Sequence, residues 1–288
     1  MESGALFMIC SVVFLDVSSH PSLASSQVAV GTIAHTRCRV RWRTDDFTAS
    51  VHREPTMRAT LANNLLLRSL GARDRQALIP DDHPVKLQVG DKIMSAGQQL
   101  AHVHFPIDCA ISLLVEATDR PLLEIGLIGR EGMLGVPLIL GVRQSSVSAF
   151  VQTPGLAWRV EAARFVRCID GSERLRRRMH RYVHLHMTQL TEAAACKHFH
   201  KLAERLARWL LMSADRLQST ELVLTHEYLS RVLGVRRAGT TLAARWLQDR
   251  GLIAYSRGHI ALVDRAGLEA AACPCYAREK TLYQYLMR

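Results

Sequence analysis

Regular alternation of apolar and polar positions begins only after residue 60. Val85, Leu87 and Val89 take every second position, and Gly90-Asp91 follows as a turn. Ile111, Leu113 and Val115 alternate in the same way, as do Leu123, Ile125 and Leu127, and Val147–Gln152 and Leu156–Val160 resume the strand character. Each run is short, and breaks carry Gly, Pro or Asp, as at Gly97, Pro106 to Asp108 and Gly129. Short strands at regular spacing predict an antiparallel, jelly-roll-like β-roll over residues 61–171. Gly132, Gly135, Pro137 and Gly141 crowd Gly129–Gly141, which is expected to be a tight loop or a short helix against a ligand pocket.

The period then changes to that of helices. Glu161–Ile169 has helical spacing, with Asp170-Gly171 as its stop. Ser172 followed by Glu173 predicts the N-cap of a long helix reaching about Cys196. Leu175, Met179, Tyr182, His186 and Gln189 form one stripe on it, and Val183, Met187, Leu190 and Ala194 a second. A helix apolar on more than one side needs two surfaces to pack on. The roll supplies one and a twin helix the other, so residues 172–200 are expected to be a coiled-coil-like dimerisation helix. Leu202–Leu217 is a further amphipathic helix.

Thr225–Arg250 is the most informative stretch. Thr225 is an N-cap candidate for a helix through Leu233, Gly234 suits a turn with positive φ, and a second helix is expected from about Arg237 to Arg250. Leu229, Leu233, Val235, Leu242, Ala243, Trp246 and Leu247 fall where two crossing helices would pack. After Gly251, Ile253 and Tyr255 alternate, Arg257-Gly258 turns, and Ile260 and Leu262 alternate back. The pattern is a winged helix-turn-helix over residues 201–270, with 271–288 left as a C-terminal tail. Residues 225–265 hold seven Arg against Glu227, Asp249 and Asp264. Arginine at the start of a recognition helix can read guanine in the major groove, and Thr hydroxyls and helix N-terminal amides suit phosphates.

Composition fits this picture without deciding it. Apolar residues make up 48%, so wholesale disorder is not expected, and the net charge of +11 permits a polyanionic partner. Cys10, Cys38, Cys109, Cys168, Cys196, Cys273 and Cys275 are an odd, scattered set, which suits a reducing cytoplasm better than a disulfide framework. The apolar stretch Ala5–Val17 contains Ser11 and Asp16 and is too short for a membrane span. It lacks the preceding Lys or Arg of a secretory signal. Residues 1–60 show no sustained pattern; they are read as a disordered arm or a spurious extension, with Met57 as the expected true start.

A β-roll, a long dimer helix and a winged helix-turn-helix in that order resemble the Crp/Fnr family of bacterial transcription regulators. The resemblance covers about residues 64–268 and is most specific at "LTHEYLSRVLGVRRAGTTLAARWLQDRGLIAYSRGHI" and "GLIGREGMLGVPLILG". It implies a homodimer that reads a two-fold symmetric operator on double-stranded DNA and contacts RNA polymerase. It places the base-reading arginine at Arg237 and phosphate contacts at Arg236 and Arg245. Thr240 and Thr241 are expected at the backbone or groove, and Arg257 at flanking phosphates in the wing. Two further base-reading positions become Ala238 and Leu242, so the operator is expected to differ from that of cyclic-AMP-binding members.

The effector pocket implied by the resemblance is degenerate. Gly135 is followed by Val136 where a ribose-binding Glu is expected, and Val147 stands before Ser148-Ala149 where an Arg would meet the cyclic phosphate. A buried phosphate without a counter-charge is costly, so tight cyclic-nucleotide binding is not expected. Another small-molecule effector, or none, fits equally. Cys10 and Cys38 lack the spacing of an iron–sulfur site, and no cofactor is expected.

Other chemistry competes weakly. His102 and His104 would share a strand face, which suggests a cupin-like metalloenzyme with a helical appendage as the alternative, but no third His follows. His180, His184, His186, His198 and His200 crowd the dimer helix; His180/His184 and Cys196/His200 have i,i+4 spacing, compatible with a metal or haem switch, while a solvated or dimer-facing helix explains them more simply. At the interface, His186 would make dimerisation pH-sensitive. Cys273-Pro-Cys275 is half a metal site or a thiol pair, without a matching second pair. A third reading is a dimeric scaffold whose helix-turn-helix has lost DNA contact. No elbow, phosphate loop or carboxylate pair suggests an enzyme.

Overall fold

A computed structural model of the chain describes residues 61–80, 83–115, 122–256 and 258–288; the N-terminal segment with Met57, and Arg257, lie outside the described residues. Two short helices, α1 (Leu65–Arg68) and α2 (Ala72–Leu78), precede the roll. The roll comprises β1 (Val85–Leu87), β2 (Lys92–Met94), β3 (His102–Pro106), β4 (Ala110–Val115), β5 (Leu123–Ile128), the one-turn α3 (Val136–Ile139), β6 (Ser148–Thr153) and β7 (Gly155–Glu161). All pairings are antiparallel, in sheets ordered β1-β7-β3 and β2-β6-β4-β5. Phe105 lies opposite Trp158 in one sheet and Leu113 opposite Ala149 in the other, and all four side chains fill the core between the sheets.

Helix α4 (Ala162–Gly171) runs through Asp170-Gly171 rather than stopping before it. Ser172 caps α5 (Glu173–Phe199), accepting from the Leu175 amide at 3.2 Å and donating to Asp74 at 2.9 Å. Leu175, Met179, Tyr182, Val183 and Leu185 bury one side of α5 against the roll. Tyr182 reaches the glycine-rich stretch, where its hydroxyl accepts from the Met133 amide (2.9 Å) and donates to the Met133 carbonyl (3.1 Å). A Cβ on Gly132 would collide with that phenol.

The C-terminal domain begins with α6 (Leu202–Leu217) and β8 (Glu221–Val223). It continues through α7 (His226–Leu233), α8 (Arg237–Gln248), β9 (Ile253–Ser256), β10 (His259–Leu262) and α9 (Arg265–Ala271). Its core gathers Leu206, Trp209, Leu210, Leu229, Leu247 and Ile260, and also takes Ala110 and Leu127 from the roll. The two domains thus pack directly on each other. The architecture is α+β: an antiparallel roll, a long helix and a winged helix-turn-helix.

One expectation fails. Residues 271–288 are no loose tail, because Cys275–Met287 forms α10, packed along α5. Glu279 is buried and Met287 joins the roll core. Its apolar residues do not follow one helical stripe because it buries polar as well as apolar groups.

Candidate nucleic-acid interface

The recognition element is built by local rules. Thr225 caps α7, its hydroxyl accepting from the Tyr228 amide at 3.1 Å. Gly234 ends α7 with φ 66°, and the Val235 amide donates back to the Ser230 carbonyl at 3.0 Å, closing the turn. Arg236 then stands at the N-cap of α8 without a side-chain cap, its carbonyl accepting from the Gly239 amide at 2.9 Å. The wing is a three-stranded sheet, β8-β10-β9, with Gly258 at φ 84° in its hairpin turn.

Arg236, Arg237, Ala238, Thr241, Leu242 and Arg245 are exposed along α8. Neither Arg236 nor Arg237 has a salt-bridge partner among the described residues, and Arg245 makes only a long contact to Asp249, at 3.9 Å. The positive end of the helix dipole adds to their charge. Arg237 also sits close to the packed rings of His226 and Tyr255, whose centroids lie 4.5 Å apart. Burial and then the Arg237 charge lower the His226 pKa. Arg237 therefore places its charge near α7 and the wing while its side chain stays exposed.

Thr240 is a correction. It is wholly buried, so it packs α8 against its own domain and does not face a groove. Its hydroxyl has no hydrogen-bond partner among the described residues. Conversely, Leu242 and Trp246, expected in the helix-helix contact, point outward at 69% and 38% exposure. The buried face is Thr240, Ala243, Ala244 and Leu247. Trp246 is covered instead by Arg250, whose guanidinium lies 3.8 Å from the ring centroid. The exposure of Leu242 agrees with the base-reading position that the resemblance gives it and not with the helix-packing position that its apolar character suggests. Arg257 lies outside the described residues.

The effector-pocket positions are filled with apolar packing. Gly135 (φ 119°) precedes α3, and a Cβ there would meet Val103 Cγ1 at 2.5 Å. Val136 and Val147 both pack on the roll core, Ala149 is fully buried in β6, and the Ser148 hydroxyl accepts from the Ala96 amide at 3.2 Å.

The metalloenzyme alternative loses its ligand set. No third metal-ligating side chain joins His102 and His104 among the described residues. Burial, with the charges of His102 and Arg159, lowers His104 to about 4. His186 also departs from expectation. It stacks on Tyr182, and burial followed by the Arg216 charge lowers it to about 4, so it stays neutral near pH 7 and cannot switch an interface there.

The fold and this site define an antiparallel roll joined by a long helix to a winged helix-turn-helix domain. Residues 204–271 match the Crp-like helix-turn-helix domain family. No curated protein matches the chain in sequence. Solved structures do match in fold. A putative Crp/Fnr-family regulator from Eubacterium rectale shares 17% identity with a TM-score of 0.56, covering 72% of this chain and 96% of its own. FixK2 from Bradyrhizobium japonicum shares 13% with a TM-score of 0.58, covering 66% and 97%. The c-di-GMP-responsive regulator CLP of Xanthomonas campestris shares 16% with a TM-score of 0.55, covering 67% and 99%. The chain thus carries a Crp-like helix-turn-helix domain at residues 204–271 and shares its overall fold with solved regulators of the Crp/Fnr family.

Proposed function

We propose that the protein acts as a cytoplasmic homodimer that reads a two-fold symmetric operator, with Arg237 as the base-reading side chain. Arg236, Thr241 and Arg245 hold phosphates or the groove edge, and Leu242 contacts a thymine methyl. The observation that carries this reading is the pair of exposed arginines, Arg236 and Arg237, at the start of α8, which have no salt-bridge partner among the described residues. In Arg237 it supplies a bidentate donor suited to guanine O6 and N7.

Dimerisation is supported by α5. With the roll covering one side, His180, His184, Met187, Thr191, Ala194 and His198 run along the helix at alternating four- and three-residue intervals. That is the spacing of a coiled-coil seam, and Met187 is 60% exposed on it. The packed valines at positions 136 and 147 support a regulator that does not depend on cyclic AMP. Contact with RNA polymerase follows from the resemblance and completes the proposal.

The test is selection from random duplex DNA with the full chain. An enriched inverted repeat with half-sites about one helical turn apart is expected. Uniform, salt-sensitive retention of any sequence would overturn the operator reading. Calorimetry with cyclic AMP should show no binding in the micromolar range.

A further inference from the structure

The long helix ends where the DNA-binding domain begins, and four side chains with ligating atoms meet at that joint. Cys196 lies on the last turn of α5 and His200 caps it, one turn further on. Cys273 and Cys275 flank Pro274 between α9 and α10. The sequence offers two half-sites 77 residues apart, and the fold closes them together.

All four ligating atoms lie within 4.8 Å of one another. Cys196 Sγ is 3.5 Å from Cys273 Sγ, and Cys275 Sγ is 3.6 Å from His200 Nδ1. An ion holding thiolates at about 2.3 Å and an imidazole at about 2.0 Å in a tetrahedron sets its ligand atoms roughly 3.5–3.8 Å apart. A disulfide needs about 2.05 Å, far shorter than the distance seen. An iron–sulfur cluster spreads its ligands around several irons, wider than this group allows.

The surroundings suit a thiolate-bound ion. The three cysteines are buried and form a small cluster of their own, apart from both main cores. The positive charge of Arg208 acts on all three, and that of Arg205 on Cys196 and Cys273. Three thiolates around a divalent ion leave one net negative charge, which the nearby Arg205 guanidinium offsets, while Arg208 is shared with Glu279. Arg208 Nε is buried without a partner and is available as an outer donor.

We propose that Cys196, His200, Cys273 and Cys275 form a Cys3His site for one tetrahedral, thiophilic divalent ion, with zinc as the occupant. All four positions come from the protein, so the ion is structural and not catalytic. It staples α10 to the end of α5 and, through the Cys273 amide's 3.4 Å bond to the Glu204 carbonyl, to the first turn of α6. Occupancy of the site therefore sets the joint between the long helix and the DNA-binding domain. The site does not depend on the operator reading.

The test uses the full chain purified with reductant and without chelator. About one zinc per chain is expected, and cobalt(II) added after zinc removal should give the intense thiolate-to-cobalt absorption of a tetrahedral site. Cys275→Ser and His200→Ala should each lower bound metal by tenfold or more, while Cys168→Ser keeps it. Because those variants may unfold, the unmodified chain carries the decision. The proposal falls if the folded, reduced chain holds no zinc and shows no cobalt band. It also falls if Cys196 and Cys273 are found disulfide-linked in freshly isolated protein.

Discussion

Glu124 on the roll strand β5 accepts a 2.6 Å hydrogen bond from the hydroxyl of Tyr228 on helix α7. The same carboxylate accepts from Trp209 Nε1 on α6 at 3.2 Å. One buried acid therefore joins the roll to α6 and to α7, the first helix of the helix-turn-helix.

Burial raises the Glu124 pKa, opposed by its hydrogen bonds from Tyr228, Ser112 and Trp209 and by Lys197. A raised folded-state pKa contributes stability that is fully present below the unfolded value. That contribution is lost as pH rises through the folded one. Stability of the wild-type chain should therefore decline as pH rises from the normal glutamate range toward the raised value. Glu124→Gln should remove that decline, and Glu124→Ala should cost about 1–3 kcal/mol for each buried donor left alone. Denaturant titration at several pH values checks both; an unchanged slope in the Gln variant would refute the assignment.

A second buried network ties α10 into the domain junction. Glu279 accepts from Arg208 at 3.0 Å and Arg216 at 3.1 Å, and Arg216 also meets Glu131 of the roll at 2.8 Å. Removing one partner of a buried pair leaves uncompensated charge. Glu279→Ala should destabilise the chain by about 3–5 kcal/mol, while Glu279→Gln should cost less, because it keeps an acceptor. Chemical denaturation measures the difference.

On the recognition helix, Arg237→Ala should cost roughly 1–3 kcal/mol on the selected operator and relax preference at one position per half-site. Arg245→Ala should weaken all sequences alike and reduce the slope of log affinity against log salt by about one. Binding titrations at several salt concentrations, on operator and scrambled duplexes, separate the two roles. Equal loss on both duplexes for Arg237→Ala would remove it as the base reader.

Legibility in the sequence followed exposure to a single environment. A strand with one face in the core, such as β1, announces itself by alternation, whereas β5 alternates in sequence yet buries Glu124 between the half-buried Leu123 and Ile125. Strand β3 is almost wholly buried and shows none. The caps Ser172 and Thr225 and the turn glycine Gly234 were readable because each satisfies a local backbone need. The phase of α8 was not, because Leu242 and Trp246 are apolar yet exposed and Thr240 is polar yet buried. The Cys196, His200, Cys273 and Cys275 group was invisible as a unit, since only the packing of α10 on α5 brings its halves together.

Thr240 supplies the sharpest test of that inverted helix phase. Its hydroxyl is buried without a partner among the described residues, so it costs desolvation and returns no hydrogen bond. Valine has nearly the same shape and lacks the polar atom. Thr240→Val should therefore leave stability unchanged or raise it by about 1 kcal/mol, and leave operator affinity within about twofold. Thr241→Val changes an exposed hydroxyl that donates to the Arg237 carbonyl at 3.1 Å and should lower affinity with little effect on stability. Thermal unfolding and operator titration on the two variants give opposite patterns if α8 is phased as described. A Thr240→Val variant that folds normally but loses DNA binding would mean that Thr240, and not the Leu242 side of the helix, faces the groove.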